Sequence, residues 1–280
     1  MNDRTKTGTI VYSVIAGLVV LAVFVLSLQL RKPPANVVYD LVVFGDSCYG
    51  NVRDDSAIPA QIEEMTGMSA FNAAFGGTCA GRLDTYENLD YSLDSLSLAA
   101  LTKAIAMGDF GVQQTMRTQF SAAEYFDASV DALEQVDFEK TGTVVIALGT
   151  NDFMSGVAID NAKDPYDAYS FCGALRSAVR ALRKVNPDIR ILFVSPTYIW
   201  IREQTCEEYD AGYGPLQNYV EAERAVAEEM NVEFLDLYHD FYEHETPEDR
   251  LRNTFDGVHP NETGRHRIAG AISDCLKGVR

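Results

Sequence analysis

Three short segments of the 280-residue chain bring together the side-chain types that nucleophilic acyl chemistry requires. The first is Gly45-Asp46-Ser47, with Gly50 close behind; a serine there attacks a carbonyl if a base takes its proton. It is not a G-x-S-x-G elbow, because the second glycine falls one residue late, and a serine in such a turn also suits a helix cap. The second is Gly149-Thr150-Asn151-Asp152, where Asn151 either aims an amide N–H at a developing oxyanion or shapes a turn. The third is Asp256-Gly257-Val258-His259-Pro260. A carboxylate three residues before an imidazole can accept its Nδ1–H, which fixes the tautomer and leaves Nε2 to take the nucleophile's proton.

Asp236 and His239 repeat that spacing. On the end of a strand, residues three apart point to opposite faces, so this pair is expected not to bond. Around it, Asp236, His239, Asp240, Glu243 and His244 read as a solvated acidic loop. No compact metal-ligand motif such as H-E-x-x-H is present, and no metal or other cofactor is expected.

The elements that must position these groups follow from the apolar pattern. Val37–Phe44 is a β-branched, apolar run that stops at Gly45, as a buried parallel strand does at its carboxyl end. Similar runs at Met68–Asn72, Thr143–Leu148, Arg190–Ser195 and Val232–Leu235 give five strands, separated by segments long enough for crossover helices. Phe171, Leu175, Val179, Leu182 and Val185 repeat at helical spacing and stop at Asn186-Pro187; Leu216, Tyr219, Val220, Val226 and Met230 do so after Pro215. Pro59 and Gly67 bracket a shorter helix carrying Ile58, Ile62 and Met65, and Ile268, Ile272 and Leu276 mark the last. Alternating strand and helix predicts an α/β fold, an open parallel sheet covered on both faces, with the ligand crevice beyond the strands' carboxyl ends. All three segments fall there. Residues 80–140 form a long connection, partly helical around Leu93–Ala106, that reads equally as a lid, a specificity insertion or extra helical packing.

Composition bounds the function. The chain is 47% hydrophobic, which fits a packed domain, and 41 Asp and Glu against 23 Lys and Arg leave a net charge of −18. Phosphate backbones would repel such a surface, so no nucleic-acid partner is expected. Arg176, Arg180, Arg183 and Lys184 share a helix, and opposite its apolar stripe they read as a solvated face. From Gly8 to Leu30 there are 23 residues without a charge, enough at about 1.5 Å per residue to cross roughly 30 Å of hydrocarbon. No small residues stand where a signal peptide would be cut, so residues 1–32 read as a cytoplasmic stub and an uncleaved transmembrane anchor. Residues 33–36 are a tether, and 37–280 one domain, extracytoplasmic on a single-pass cell-membrane anchor.

Taken together, the motifs resemble the SGNH (GDSL-like) hydrolase family, flavodoxin-like three-layer α/β esterases and lipases. The resemblance runs over residues 36–280. It implies Ser47 as nucleophile with Asp256 and His259 completing a triad, and Gly149, Asn151 and Asp152 as its Gly-x-Asn-Asp block. Its oxyanion donors would be the Ser47 N–H, the Asn151 amide and the N–H of Gly77, five residues after Asn72, although Gly76 is adjacent and could serve instead. Asp46 would support the nucleophile's turn. Two positions depart from the pattern: Cys48 replaces the leucine of Gly-Asp-Ser-Leu, and Ala74 stands where glycine is usual.

The implied activity is hydrolysis of a carboxylic ester through an acyl-enzyme, with small acyl groups such as O-acetyl on glycans favoured over lysophospholipids because no strongly apolar groove for a long chain is legible. A tethered binding protein without turnover and an acyl transferase are the alternatives. Trp200, Tyr198, Tyr209 and Tyr213 suit either sugar stacking or plain packing. Cys48 and Cys79 flank the nucleophile and the oxyanion loop, where an oxidising exterior would permit a bridge; two buried thiols are the other reading.

Overall fold

The computed structural model describes residues 37–83, 92–116 and 125–279. The chain divides between Ala35 and Asn36 into two units, and the expected span and tether lie outside the described residues. Among the described residues, no helix is long and apolar enough to cross a membrane.

Five apolar runs form the expected strands: β1 (Leu41–Gly45), β2 (Ala70–Asn72), β3 (Thr143–Ala147), β4 (Arg190–Val194) and β5 (Glu233–Leu235). All pair parallel in the order β2-β1-β3-β4-β5, with Leu41 opposite both Ala70 and Thr143, Thr143 opposite Arg190, and Leu192 opposite Glu233. The order reverses between β1 and β3, which opens the crevice beyond their carboxyl ends. The first strand is shorter than its apolar run. Val37 instead bridges to Val136 and donates its N–H to Gln135, leaving Val37 and Val38 exposed.

Ten helices are described: α1 (Ser47–Gly50), α2 (Ile58–Thr66), α3 (Ser92–Ser95), α4 (Leu98–Met107), α5 (Gly111–Met116), α6 (Tyr125–Leu133), α7 (Thr150–Ser155), α8 (Phe171–Val185), α9 (Leu216–Met230) and α10 (Glu262–Lys277). The two-residue period of each strand divides the core. Leu41, Val43, Val145, Leu192 and Val194 pack on one face against Ile58 and Ile62 of α2 and Ile268 and Ile272 of α10. Val42, Phe44, Val144, Ile146 and Phe193 pack on the other against α4, α6, α8 and α9. This is the three-layer α/β arrangement that alternation of strand and helix predicts. The described helices of residues 80–140 carry buried Leu98, Leu101, Ile105, Phe126, Val130 and Leu133, so they are extra packing on that second face.

One expectation about the surface holds only in part. The α8 cations are a solvated face only in part: Arg180 and Lys184 are exposed, but Arg176 is buried between Asp160 and Glu229, and Arg183 donates to the Met230 and Asn231 carbonyls. The loop after α7 and the end of α9 fold over a side of α8 that periodicity alone assigns to water. All five cysteines are free thiols, so no bridge joins Cys48 to Cys79.

Glu223 lies fully buried on α9, and neither carboxylate oxygen finds a partner among the described residues. Burial, reinforced by the charges of Asp152 and Asp236, pushes its carboxyl well up. The folded chain therefore holds a proton that the unfolded chain releases above pH ~4, and stability falls as pH rises from there toward the folded value. We expect the thermal midpoint of the wild type to drop between pH 5 and pH 8 by more than that of Glu223→Gln, read by circular dichroism; parallel curves would contradict it.

Candidate active site

The turn after β1 is made by Asp46, not by Ser47. The Asp46 carboxylate caps α1 by accepting the Cys48 N–H at 2.9 Å, and its carbonyl accepts from Tyr49 and Gly50. Burial pushes the Asp46 carboxyl up against the opposing pull of that N–H. Because the cap is filled by its neighbour, the Ser47 hydroxyl is left to meet His259, whose Nε2 lies 2.9 Å from Oγ.

His259 is held from behind. Its Nδ1 is 2.7 Å from Asp256 Oδ2, while Asp256 Oδ1 accepts the backbone N–H groups of Val258 at 3.0 Å and His259 at 2.8 Å. Partial burial raises the Asp256 carboxyl, but the His259 N–H, the imidazole and the Val258 N–H together outweigh it and bring it below the usual carboxylate range. Asp256 is thus ionised at neutral pH, and the ring nitrogen facing it carries the proton. The loop is closed by the Phe255 N–H on the His259 carbonyl, and Asn261 caps α10 directly behind it.

The Gly149 segment and the turn at Phe75–Thr78 are tied to the same crevice. Gly149 adopts φ +121°, a conformation a side chain rarely tolerates, and starts α7 so that Asn151 and Asp152 follow at once. Asn151 gives one amide hydrogen to the Thr78 carbonyl at 3.0 Å. No acceptor for its second hydrogen is found among the described residues. Phe75 to Thr78 form a tight turn with Gly77 at φ +79°, in the position that favours glycine. Phe75 N–H and the Thr78 hydroxyl both reach the Gly45 carbonyl, at 3.0 and 3.4 Å, which laces this turn to the one that carries Ser47. The Gly76 N–H is taken by the Tyr125 hydroxyl at 2.9 Å, whereas the Gly77 N–H has no acceptor among the described residues. Asp152 is fully buried and accepts from the Ala80 and Gly81 N–H groups; burial raises its carboxyl to about 7.

Ser47, His259 and Asp256 therefore stand in one hydrogen-bonded line, and Asn151 and Gly77 join through Thr78. Thr78, Arg53 and Tyr125 carry none of the spacing that marks a reacting group, so sequence reasoning passed over them. The Cys48 thiol lies 3.7 Å from the Val258 carbonyl, and burial pushes it well up, so it is no rival thiolate beside the serine.

The pair Asp236 and His239, expected not to bond, does so: Nδ1 is 2.8 Å from Oδ2, and Asp236 Oδ1 accepts from Tyr238 and His239. β5 ends at Leu235, so the two residues occupy a turn and strand alternation does not apply. Arg224 and Glu221 flank them in place of a hydroxyl. Among the described residues no group of three or more His, Cys, Asp or Glu side chains is placed to hold a metal ion. Of the aromatic cluster, Tyr198 is buried with its ring stacked on His244 at 3.8 Å, and Tyr209 packs edge-on to Phe153, which leaves neither as an open stacking platform.

A five-stranded parallel sheet in this order, with its crevice at the switch point, is a flavodoxin-like three-layer α/β fold, and comparison with known families makes the assignment specific. Residues 43–267 match the model of the GDSL-like lipase/acylhydrolase family, and the chain belongs to that family of esterases and acylhydrolases. Solved structures of similar fold include a protein from Lactobacillus plantarum, 18% identical with a TM-score of 0.61 over 87% of this chain and 99% of that one. Another is described as a possible lipase from Chitinophaga pinensis, 16% identical, TM-score 0.53, covering 86% of this chain and all of its own. A third is Est24, a carbohydrate acetylesterase from Sinorhizobium meliloti, 15% identical, TM-score 0.50, covering 86% of this chain and 99% of its own. No curated protein sequence matches.

Proposed function

We propose that the chain is a serine esterase in which Ser47 is the nucleophile, His259 the general base and acid, and Asp256 the residue that orients His259. The observation that carries this reading is the unbroken line from Ser47 Oγ through the His259 ring to Asp256 Oδ2, at 2.9 and 2.7 Å. His259 Nε2 removes the hydroxyl proton as Oγ bonds to the ester carbon. The oxyanion so formed accepts from the Ser47 and Gly77 N–H groups and the Asn151 amide. Collapse expels the alcohol, which leaves with the proton from Nε2, and water repeats the sequence to free the acid.

The substrate we favour is a small acyl ester, an O-acetyl group on a glycan. The sequence shows no strongly apolar groove for a long acyl chain, which favours a small acyl group over a fatty one. The carbohydrate acetylesterase of like fold agrees with this choice. We further propose that residues 8–30 anchor the domain in the cell membrane with the crevice on the outer side, near envelope or external polymers.

One panel tests the reading. The full chain in detergent is given O-acetylated oligosaccharides, p-nitrophenyl acetate and lysophosphatidylcholine, with and without a sugar acceptor. Acetate release from the first two is the expected result. Fatty acid release from the lysolipid alone would replace it with a lysophospholipase, acyl-sugar formation with a transferase, and no turnover together with no fluorophosphonate labelling with a binding protein.

A further inference from the structure

A glycine pair is a poor place to keep an oxyanion donor. Gly76 and Gly77 lack Cβ atoms, so the peptide between them is free to rotate unless something outside the turn fixes it. Two residues that the mechanism does not use meet at this point. Arg53 spreads its guanidinium over three carbonyls: Nε donates to Gly50 at 2.8 Å, Nη1 to Asn72 at 2.8 Å, and Nη2 to Ala74. The first carbonyl belongs to helix α1, the second to the last residue of β2, and the third to the loop that leads into the glycine pair. Tyr125, the first residue of α6, lays its ring 4.1 Å from the guanidinium carbon. Its hydroxyl accepts the Gly76 N–H at 2.9 Å and reaches the Asn51 side-chain oxygen at 3.4 Å. The space is full: a Cβ on Gly50 would meet the Tyr125 hydroxyl and the Ala74 carbonyl at 2.9 Å, and one on Gly76 would meet Asn51 Oδ1 at 2.7 Å.

We propose that Arg53 and Tyr125 are positioning residues that clamp the oxyanion loop to the nucleophile's turn, and that the Tyr125 hydroxyl, by taking the Gly76 N–H, sets Gly77 as the backbone donor to substrate. The catalytic half of this proposal rests on the serine-esterase reading; the structural half does not. Arg53 suits the task because a rigid fork holds several carbonyls at fixed angles, which a lysine cannot. Tyr125 comes from the 80–140 connection, so the clamp also couples that insertion to the chemistry.

Tyr125→Phe keeps the ring, its packing and its stacking on Arg53, and deletes only the hydroxyl. Two measurements on the full chain separate the halves. Amide hydrogen exchange at Gly76 should quicken about tenfold or more in the variant, with the thermal midpoint nearly unchanged. With p-nitrophenyl acetate, kcat per titrated active site should fall roughly tenfold while KM moves less than twofold, and a short alkyl boronic acid should bind weaker by the same factor as kcat. Arg53→Lys should do the same more strongly. Unchanged exchange at Gly76 overturns the clamp whatever the activity. Faster exchange with wild-type kcat, or a loss due wholly to fewer titratable sites, overturns its catalytic part. A wild-type chain that turns over no ester sinks the esterase reading and that part together, while the exchange result still decides whether the clamp exists.

Discussion

Ser47→Ala is expected to lower kcat for p-nitrophenyl acetate by at least about 10⁴-fold, because removing the nucleophile of such a triad leaves only binding and oxyanion stabilisation. The change is clean on structural grounds. Asp46 caps α1, and among the described residues Ser47 Oγ is bonded only to His259, so the methyl of alanine breaks no described contact that supports the fold. The thermal midpoint should stay within a degree or two, and a fluorophosphonate should no longer label the chain. Wild-type turnover in this variant would assign the hydrolysis to another residue.

Asn151→Ala should lower kcat by roughly 10²–10³-fold, equivalent to about 2.7–4 kcal/mol, with KM little altered, since an oxyanion donor acts on the transition state rather than on the bound ester. Asn151 has a second duty that sharpens the test. Its amide also donates to the Thr78 carbonyl, so alanine loosens the turn that presents Gly77. Asn151→Asp keeps the shape but sets a carboxylate where negative charge develops, and should fall further than alanine. Single-turnover kinetics on both variants would check the order; an aspartate variant more active than the alanine one would remove Asn151 from the oxyanion site.

The hydrogen-bonded line from Ser47 to Asp256 was legible because each of its parts is locally encoded. Apolar runs mark where β1 and β3 end, and whatever follows a strand's carboxyl end faces the crevice, so Ser47 and Asn151 could be placed without coordinates. Asp256 and His259 were legible for a different reason, since the spacing closes within one turn. The misjudged places are those decided by distant chain. Asp236 and His239 read as the end of a strand, yet β5 stops at Leu235, where its apolar run stops, and the pair closes in the turn that follows. Arg176 looks solvated on a helical wheel, yet Asp160 and Glu229 arrive from elsewhere to cover it. Val37 and Val38 have strand-forming side chains but no neighbouring strand that reaches them in the sheet. Tyr125 lies 49 residues beyond the glycine it holds, within a connection whose pattern says helix and nothing more.

The chain builds the Asp-x-x-His turn twice, at 236–239 and 256–259, with matching bonds from the carboxylate to the ring and to the backbone. Four consecutive residues close the same carboxylate–imidazole contact in both places, whatever stands on the far side of the ring. Such a turn is cheap for a polypeptide to make; what distinguishes the 256–259 copy is the hydroxyl that the start of α1 brings to its imidazole.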